Sequence, residues 1–109
     1  MPISIKDLQE FIRSKDHAPD RLNDYFYKLI EEIGELSKSL YKGKRMVSGN
    51  IKDTVEEEIY DVIYYSLAIA NILDIDVEEC AKIKERINKE KYGHEFDLEN
   101  FCMKHEVDS

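Results

Sequence analysis

Residues 59–73 read IYDVIYYSLAIANIL, and this stretch decides the fold. Apolar and tyrosine side chains occupy nearly every side of it, with Asp61, Ser66 and Asn71 as the exceptions. No strand-like alternation competes, so the segment reads as a helix covered on more than one side. An ionised carboxylate inside such a helix must be paired, bind a cation or become neutral. Asp61 therefore asks for a partner. The nearest side chain on the same side is Glu58, one turn earlier, and a second acid makes the problem worse unless a cation sits between them.

Working outward, the same pattern fills the chain with helices. Asp53 with Glu56 opens the third helix, which is expected to run to about Leu73. A second helix is expected from about Asp20 to Lys42, with Leu22, Phe26, Leu29, Ile30, Ile33, Leu36 and Leu40 on one face and Gly43 as its stop. Ser4 with Asp7 marks the start of a first helix carrying Ile5, Leu8, Phe11 and Ile12, broken by Asp16 to Pro19. Asp76 with Glu79 opens a fourth, ending near Tyr92. Residues 43–52 form a polar, basic loop. The expected fold is all-α and four-helix bundle-like, with one domain over 1–93 and a tail over 94–109 that is a short helix or loosely held.

Composition narrows the function. The 109 residues carry 24 acids and 16 bases, a formal net charge of -8. That acidity argues against nucleic acid and anionic membrane as partners. No apolar run approaches a membrane span, and the start MPISIKDLQEF has no secretory pattern. Cys80 and Cys102 stand alone, as reduced thiols of a cytoplasmic protein do. The apolar third helix offers more surface than one small bundle covers, so a homodimer or dimer of dimers is expected, with this helix near the interface.

Two acid pairs then stand out. Glu32/Glu35 in EEIGE and Glu58/Asp61 in EIYD are each spaced i, i+3. On a helical wheel Glu32 and Glu58 lie about 80–100° from the centre of their apolar faces, and Glu35 and Asp61 about 140–160°, in the same rotational sense. In an antiparallel hairpin these flanks face each other or both face away. Four converging carboxylates without His or Cys describe a site for a hard cation, Mg²⁺ or Mn²⁺. A di-iron centre would need Glu-x-x-His, and neither His17, His94 nor His105 follows a Glu at that spacing. Acidic flanks are also common on solvated helices, and Glu56 and Glu57 read that way.

EEIGE followed by EIYD, with 22 residues between Glu35 and Glu58, resembles the EExxE…ExxD signature of MazG-type nucleoside triphosphate pyrophosphohydrolases. The resemblance covers roughly residues 20–93. It implies Mg²⁺-dependent cleavage between the α and β phosphates, giving a nucleoside monophosphate and pyrophosphate. Glu32, Glu35, Glu58 and Asp61 match the metal ligands, and Glu31 matches the first acid, with an outer or water-orienting role. Lys84, Asn88, Lys91 and Tyr92 match the family's Lys, Asn and basic-aromatic pattern, although Gly93 stands where Pro often follows. Lys84, Asn88 and Lys91 are thus expected at the substrate, with Asn71 at a base or ribose or else in bundle hydrogen bonding. Any of Tyr25, Tyr60, Tyr64 and Tyr65 could stack on a base or simply pack. Other readings are a phosphoribosyl-ATP or dCTP/dUTP pyrophosphohydrolase, and a non-catalytic helical interaction module.

Overall fold

The computed structural model describes residues 1–107. The protein is all-α: α1 Ile5–Lys15, a 3₁₀ turn Pro19–Arg21, α2 Leu22–Lys42, α3 Val55–Ile72, α4 Val77–Tyr92 and α5 Leu98–Val107. Among the described residues there is no strand beyond a lone bridge, Val47 to Asn50, in the α2–α3 loop. The helices fall into two units, Met1–Asp74 and one beginning at Ile75.

The first unit is built on the α2–α3 hairpin. Gly43 closes α2 in the left-handed conformation, φ 66°, where its N–H reaches the Ser39 and Leu40 carbonyls. The loop is then pinned at its far end, because the Val55 N–H donates to the Lys44 carbonyl at 2.9 Å. The cap of α3 differs by one residue from the sequence expectation. Asp53 turns left-handed, φ 62°, and Thr54 takes the cap instead. The Thr54 hydroxyl accepts from the Glu57 N–H at 3.2 Å and donates to the Ile51 carbonyl at 2.6 Å, which is why this residue is almost wholly buried.

Helix α1 starts on the expected capping box, with Ser4 and Asp7 bonded reciprocally at 3.0 Å. It packs on α3 through Ile12, which has no exposed surface, and through a buried polar clamp. Gln9 Nε2 donates to Asn71 Oδ1 at 3.1 Å, and Asn71 Nδ2 donates to the Gln9 carbonyl at 2.9 Å. Arg13 adds a bond to the Asn71 carbonyl at 3.0 Å. Buried amides left unpaired would each cost about 1–3 kcal/mol, so this reciprocal pairing fixes the register of α1 on α3.

In the second unit Asp76 caps α4 by accepting from the Glu79 N–H at 3.1 Å, and Gly93, φ 65°, ends it. The expected tail carries a helix, α5, started by Asp97, which accepts from the Asn100 N–H at 2.8 Å. The last two residues of that tail, 108–109, lie outside the described residues. An Arg86–Glu99 ion pair links α5 to α4.

Candidate active site

Helices α2 and α3 run antiparallel, and their flanks bring three of the four expected carboxylates together. Glu32, Glu58 and Asp61 each offer an oxygen, and these atoms lie within 4.8 Å of one another. Glu58 is only 6% exposed, and its Oε2 is a buried atom without a hydrogen-bond partner. Beside it stands a second acid, Glu32, close enough for one proton to be shared between them in a hydrogen bond. Burial above all, then that bond and the charges of Glu32, Asp61 and Glu57, pushes the Glu58 carboxyl up from 4.5 to about 7. Burial and the charges of Glu32 and Glu57 raise Asp61 as well. A folded chain that crowds acids this closely, in a desolvated place, has a centre that wants protons or a cation. All-oxygen donors select a hard divalent ion.

Two cavities flank the cluster. Towards the open end of the hairpin, a cavity of about 300 Å³ is lined by Lys15, Asp16, Glu32, Asp61 and three tyrosines, Tyr60, Tyr64 and Tyr65. It adjoins a larger one, about 620 Å³, to which Lys15, Asp16 and Tyr65 also belong and to which Arg21 and Lys28 add positive charge. Towards the loop, a cavity of about 260 Å³ is lined by Glu35, Lys38, Ser39, Lys42, Lys44, Asp53 and Glu58.

The remaining expected residues are placed differently. Glu35 lies outside the three-acid cluster. It pairs with Lys38 at 3.5 Å and shares the loop-side cavity with Glu58. Glu31 is rotated about 100° from Glu32. It is exposed and pairs with Lys28 at 3.2 Å, so it does not join the cluster. Asn71 is 2% exposed and both ends of its amide are bonded to Gln9, the bundle hydrogen bonding that was one of its two expected places. Lys84, Asn88 and Lys91 belong to the second unit. Lys84 and Lys91 are exposed, and Asn88 donates to Glu85 at 3.0 Å.

Asp16 is a component that sequence reading missed. It was legible as a helix breaker, but its carboxylate accepts from Tyr25 Oη at 2.6 Å and Tyr64 Oη at 2.7 Å. Those two bonds hold its carboxyl below the usual range, while burial and the same bond raise the Tyr64 phenol. The clamp ties the end of α1 to both hairpin helices and orients a tyrosine beside the acids. Lys15 lies over the rings of Phe11 and Tyr64, at 4.9 and 5.1 Å.

The comparisons with known proteins give the family. The profile of the MazG nucleotide pyrophosphohydrolase domain matches residues 21–92, which span the hairpin and α4. A dATP/dGTP diphosphohydrolase of Cyanophage S-2L is 32% identical over 108 residues, covering 96% of this chain and 90% of that protein. Crystal structures of iMazG from Vibrio DAT 722 superpose as well. One gives a TM-score of 0.77 at 42% identity, covering 84% of this chain and 100% of that one. A second form gives 0.76 at 44%, covering 80% and 99%. The fold and these matches define an all-α nucleotide pyrophosphohydrolase. The chain belongs to the MazG family of these enzymes.

Proposed function

We propose that the chain hydrolyses a deoxynucleoside triphosphate to the monophosphate and pyrophosphate, with Mg²⁺, or Mn²⁺ in its place, at the carboxylate cluster. The observation that carries this reading is Glu58, a buried acid with an orphaned oxygen against a second acid. Glu32, Glu58 and Asp61 would hold the ion, and Glu35, beside Glu58 in the loop-side cavity, would be the fourth oxygen donor. A bound divalent ion supplies neutralisation of polyphosphate charge and lowers the pKa of water.

The chain's own groups do the rest. Tyr60, Tyr64 and Tyr65 offer faces and edges to a nucleoside next to the acids. Asp16 keeps Tyr64 in place. The reaction needs one water. Its oxygen bonds to a phosphorus of the α–β bridge, the bond from that phosphorus to the bridging oxygen breaks, and the bridging oxygen keeps the electron pair. A carboxylate of the cluster accepts the water's proton. Purine deoxynucleotides are the proposed substrates, because the cyanophage relative is named for dATP and dGTP and matches nearly the whole chain.

The assembly is proposed to be a homodimer or a dimer of dimers. Phe26, Ile30 and Ile33 on α2, and Ile59 and Ile63 on α3, are about half exposed, more apolar surface on one hairpin than a monomer ordinarily leaves open.

The test is product identity. The four deoxynucleoside triphosphates, incubated with the protein and Mg²⁺, are separated by ion-exchange chromatography. The proposal expects dAMP and dGMP with pyrophosphate. Release of orthophosphate and a diphosphate, or turnover of pyrimidines alone, would defeat it in mechanism or in substrate respectively.

A further inference from the structure

We propose that the loop-side cavity is a pyrophosphate subsite, which takes the β and γ phosphoryl groups of the substrate and holds the pyrophosphate product. This rests on the pyrophosphohydrolase reading and adds a direction to it: nucleoside towards the tyrosines, pyrophosphate towards the α2–α3 loop.

The first argument is the distribution of charge along the hairpin. Apart from the proposed metal ligands Glu32 and Asp61, the tyrosine-lined cavity has one lysine, Lys15, against Asp16, and its larger neighbour adds Arg21 and Lys28 against Asp24. Lys15 lies over two aromatic rings. The loop-side cavity has three lysines, Lys38, Lys42 and Lys44. Two of its acids, Glu35 and Glu58, are those turned to the cation in the proposed metal site. Once they are so engaged, the lysines leave this side the more cationic of the two. A dianionic or more highly charged group is therefore stabilised better there, where three lysines stand against Asp53, than on the other side.

The second argument is Glu58 itself. It is more than nine-tenths buried, has an unpartnered Oε2, and belongs at once to the acid cluster and to the wall of this cavity. A ligand in the cavity is therefore adjacent to the reacting centre. The third is size. The loop-side cavity, about 260 Å³, suits a small anion, whereas the tyrosine-lined one adjoins a further 620 Å³ and has room for a nucleoside. Reach is adequate too: Lys38 is six residues beyond Glu32 on α2, about 9 Å along the axis at roughly 1.5 Å per residue.

The segment carrying the third lysine is held in place. The Lys44 carbonyl accepts from the Val55 N–H, and Glu56 binds both the Arg45 guanidinium at 2.9 Å and the Met46 N–H at 3.1 Å. These bonds anchor residues 44–46 on the first turn of α3. Pyrophosphate gains negative charge once the α–β bridge is cut, and the ammonium groups meet that charge without having to give up a proton.

The experiment is calorimetric binding to the full chain in excess Mg²⁺, with inorganic pyrophosphate and with dAMP or dGMP as separate probes. Lys42→Gln/Lys44→Gln should weaken pyrophosphate by at least about 10-fold, since charge-assisted bonds to phosphate are lost, and leave the monophosphate within about 2-fold. Lys42→Arg/Lys44→Arg should keep pyrophosphate within about 3-fold of wild type. Both lysines are exposed, and an unchanged melting temperature would verify folding. Pyrophosphate affinity equal in the glutamine variant and wild type, an equal loss for both probes, or no pyrophosphate binding by wild type would each overturn the subsite. Wild type that binds pyrophosphate but hydrolyses no triphosphate would instead defeat the hydrolase reading and leave the subsite standing.

Discussion

Glu58→Gln should stabilise the metal-free protein above neutral pH and abolish its rescue by Mg²⁺. Wild-type Glu58 has its folded pKa raised from 4.5 to about 7, chiefly by burial and then by Glu32. A group with a raised folded pKa contributes stability that is full below the unfolded value and is lost as pH rises through the folded one. The loss therefore falls between about pH 4.5 and 7. Each pH unit of separation is worth about 1.4 kcal/mol, so the whole effect is roughly 3 kcal/mol. In a chain of this length that corresponds to a melting temperature lower by on the order of 10 °C. The substituted glutamine would keep the hydrogen-bonding capacity without the charge. The assay is thermal unfolding in EDTA from about pH 4 to pH 8 for both proteins. The two curves should meet below about pH 4.5, where the wild-type carboxyl is protonated folded and unfolded, and diverge by roughly 3 kcal/mol by pH 8. Adding Mg²⁺ at pH 8 should raise the wild type alone, by an amount that grows with [L]/Kd. Parallel curves across the whole range would refute the reasoning.

Three further outcomes are expected. Asn71→Leu leaves the Gln9 amide without its buried partner and should cost about 1–3 kcal/mol in urea unfolding, with the substrate KM of the folded fraction unchanged. Asp16→Ala removes the acceptor of two tyrosine hydroxyls and should cost about 2 kcal/mol near neutral pH. Because the folded Asp16 pKa is lowered, that stabilisation is present above the unfolded value near 3.8 and is lost as pH falls through the folded one, so the gap to wild type should close in acid. Wild type should give a dimeric or tetrameric mass by light scattering at micromolar concentration, and Ile33→Asp/Ile63→Asp a monomer. A monomeric wild type would remove the assembly proposal.

What could be read from the chain beforehand follows from the range of the forces involved. Caps are local, so Ser4 with Asp7, Asp76 with Glu79, and the stop at Gly43 were all visible as residue types at fixed offsets. The acid pairs were visible because an i, i+3 spacing fixes which side of a helix a residue occupies. The Asp53 and Thr54 assignment slipped by one because both residues suit a cap, and only the turn bonding Thr54 to Ile51 decides between them. Glu31, Glu32 and Glu35 are chemically alike, and which of them meets Glu58 depends on how two helices rotate against each other. Asn71 has a partner 62 residues away, and Asp16 has one 48 residues away, distances at which spacing carries no signal. Lys38 and Lys42 are exposed bases of a helix that also carries acids, so nothing in the local pattern set them apart from solvated charge.

The central claim is that the cluster of Glu32, Glu58 and Asp61 holds the divalent ion on which hydrolysis depends. Mg²⁺ titration of pyrophosphate release from dATP and dGTP, run on wild type, Asp61→Asn and Glu57→Gln, tests it most directly. Glu57 accepts from the Asp53 N–H at 3.2 Å, a bond glutamine can keep, so this variant is the control. The account predicts near wild-type turnover for Glu57→Gln and a loss of at least about 100-fold for Asp61→Asn, with a higher Mg²⁺ requirement, as disturbed metal sites show. Wild-type turnover and Mg²⁺ dependence in a folded Asp61→Asn would contradict it.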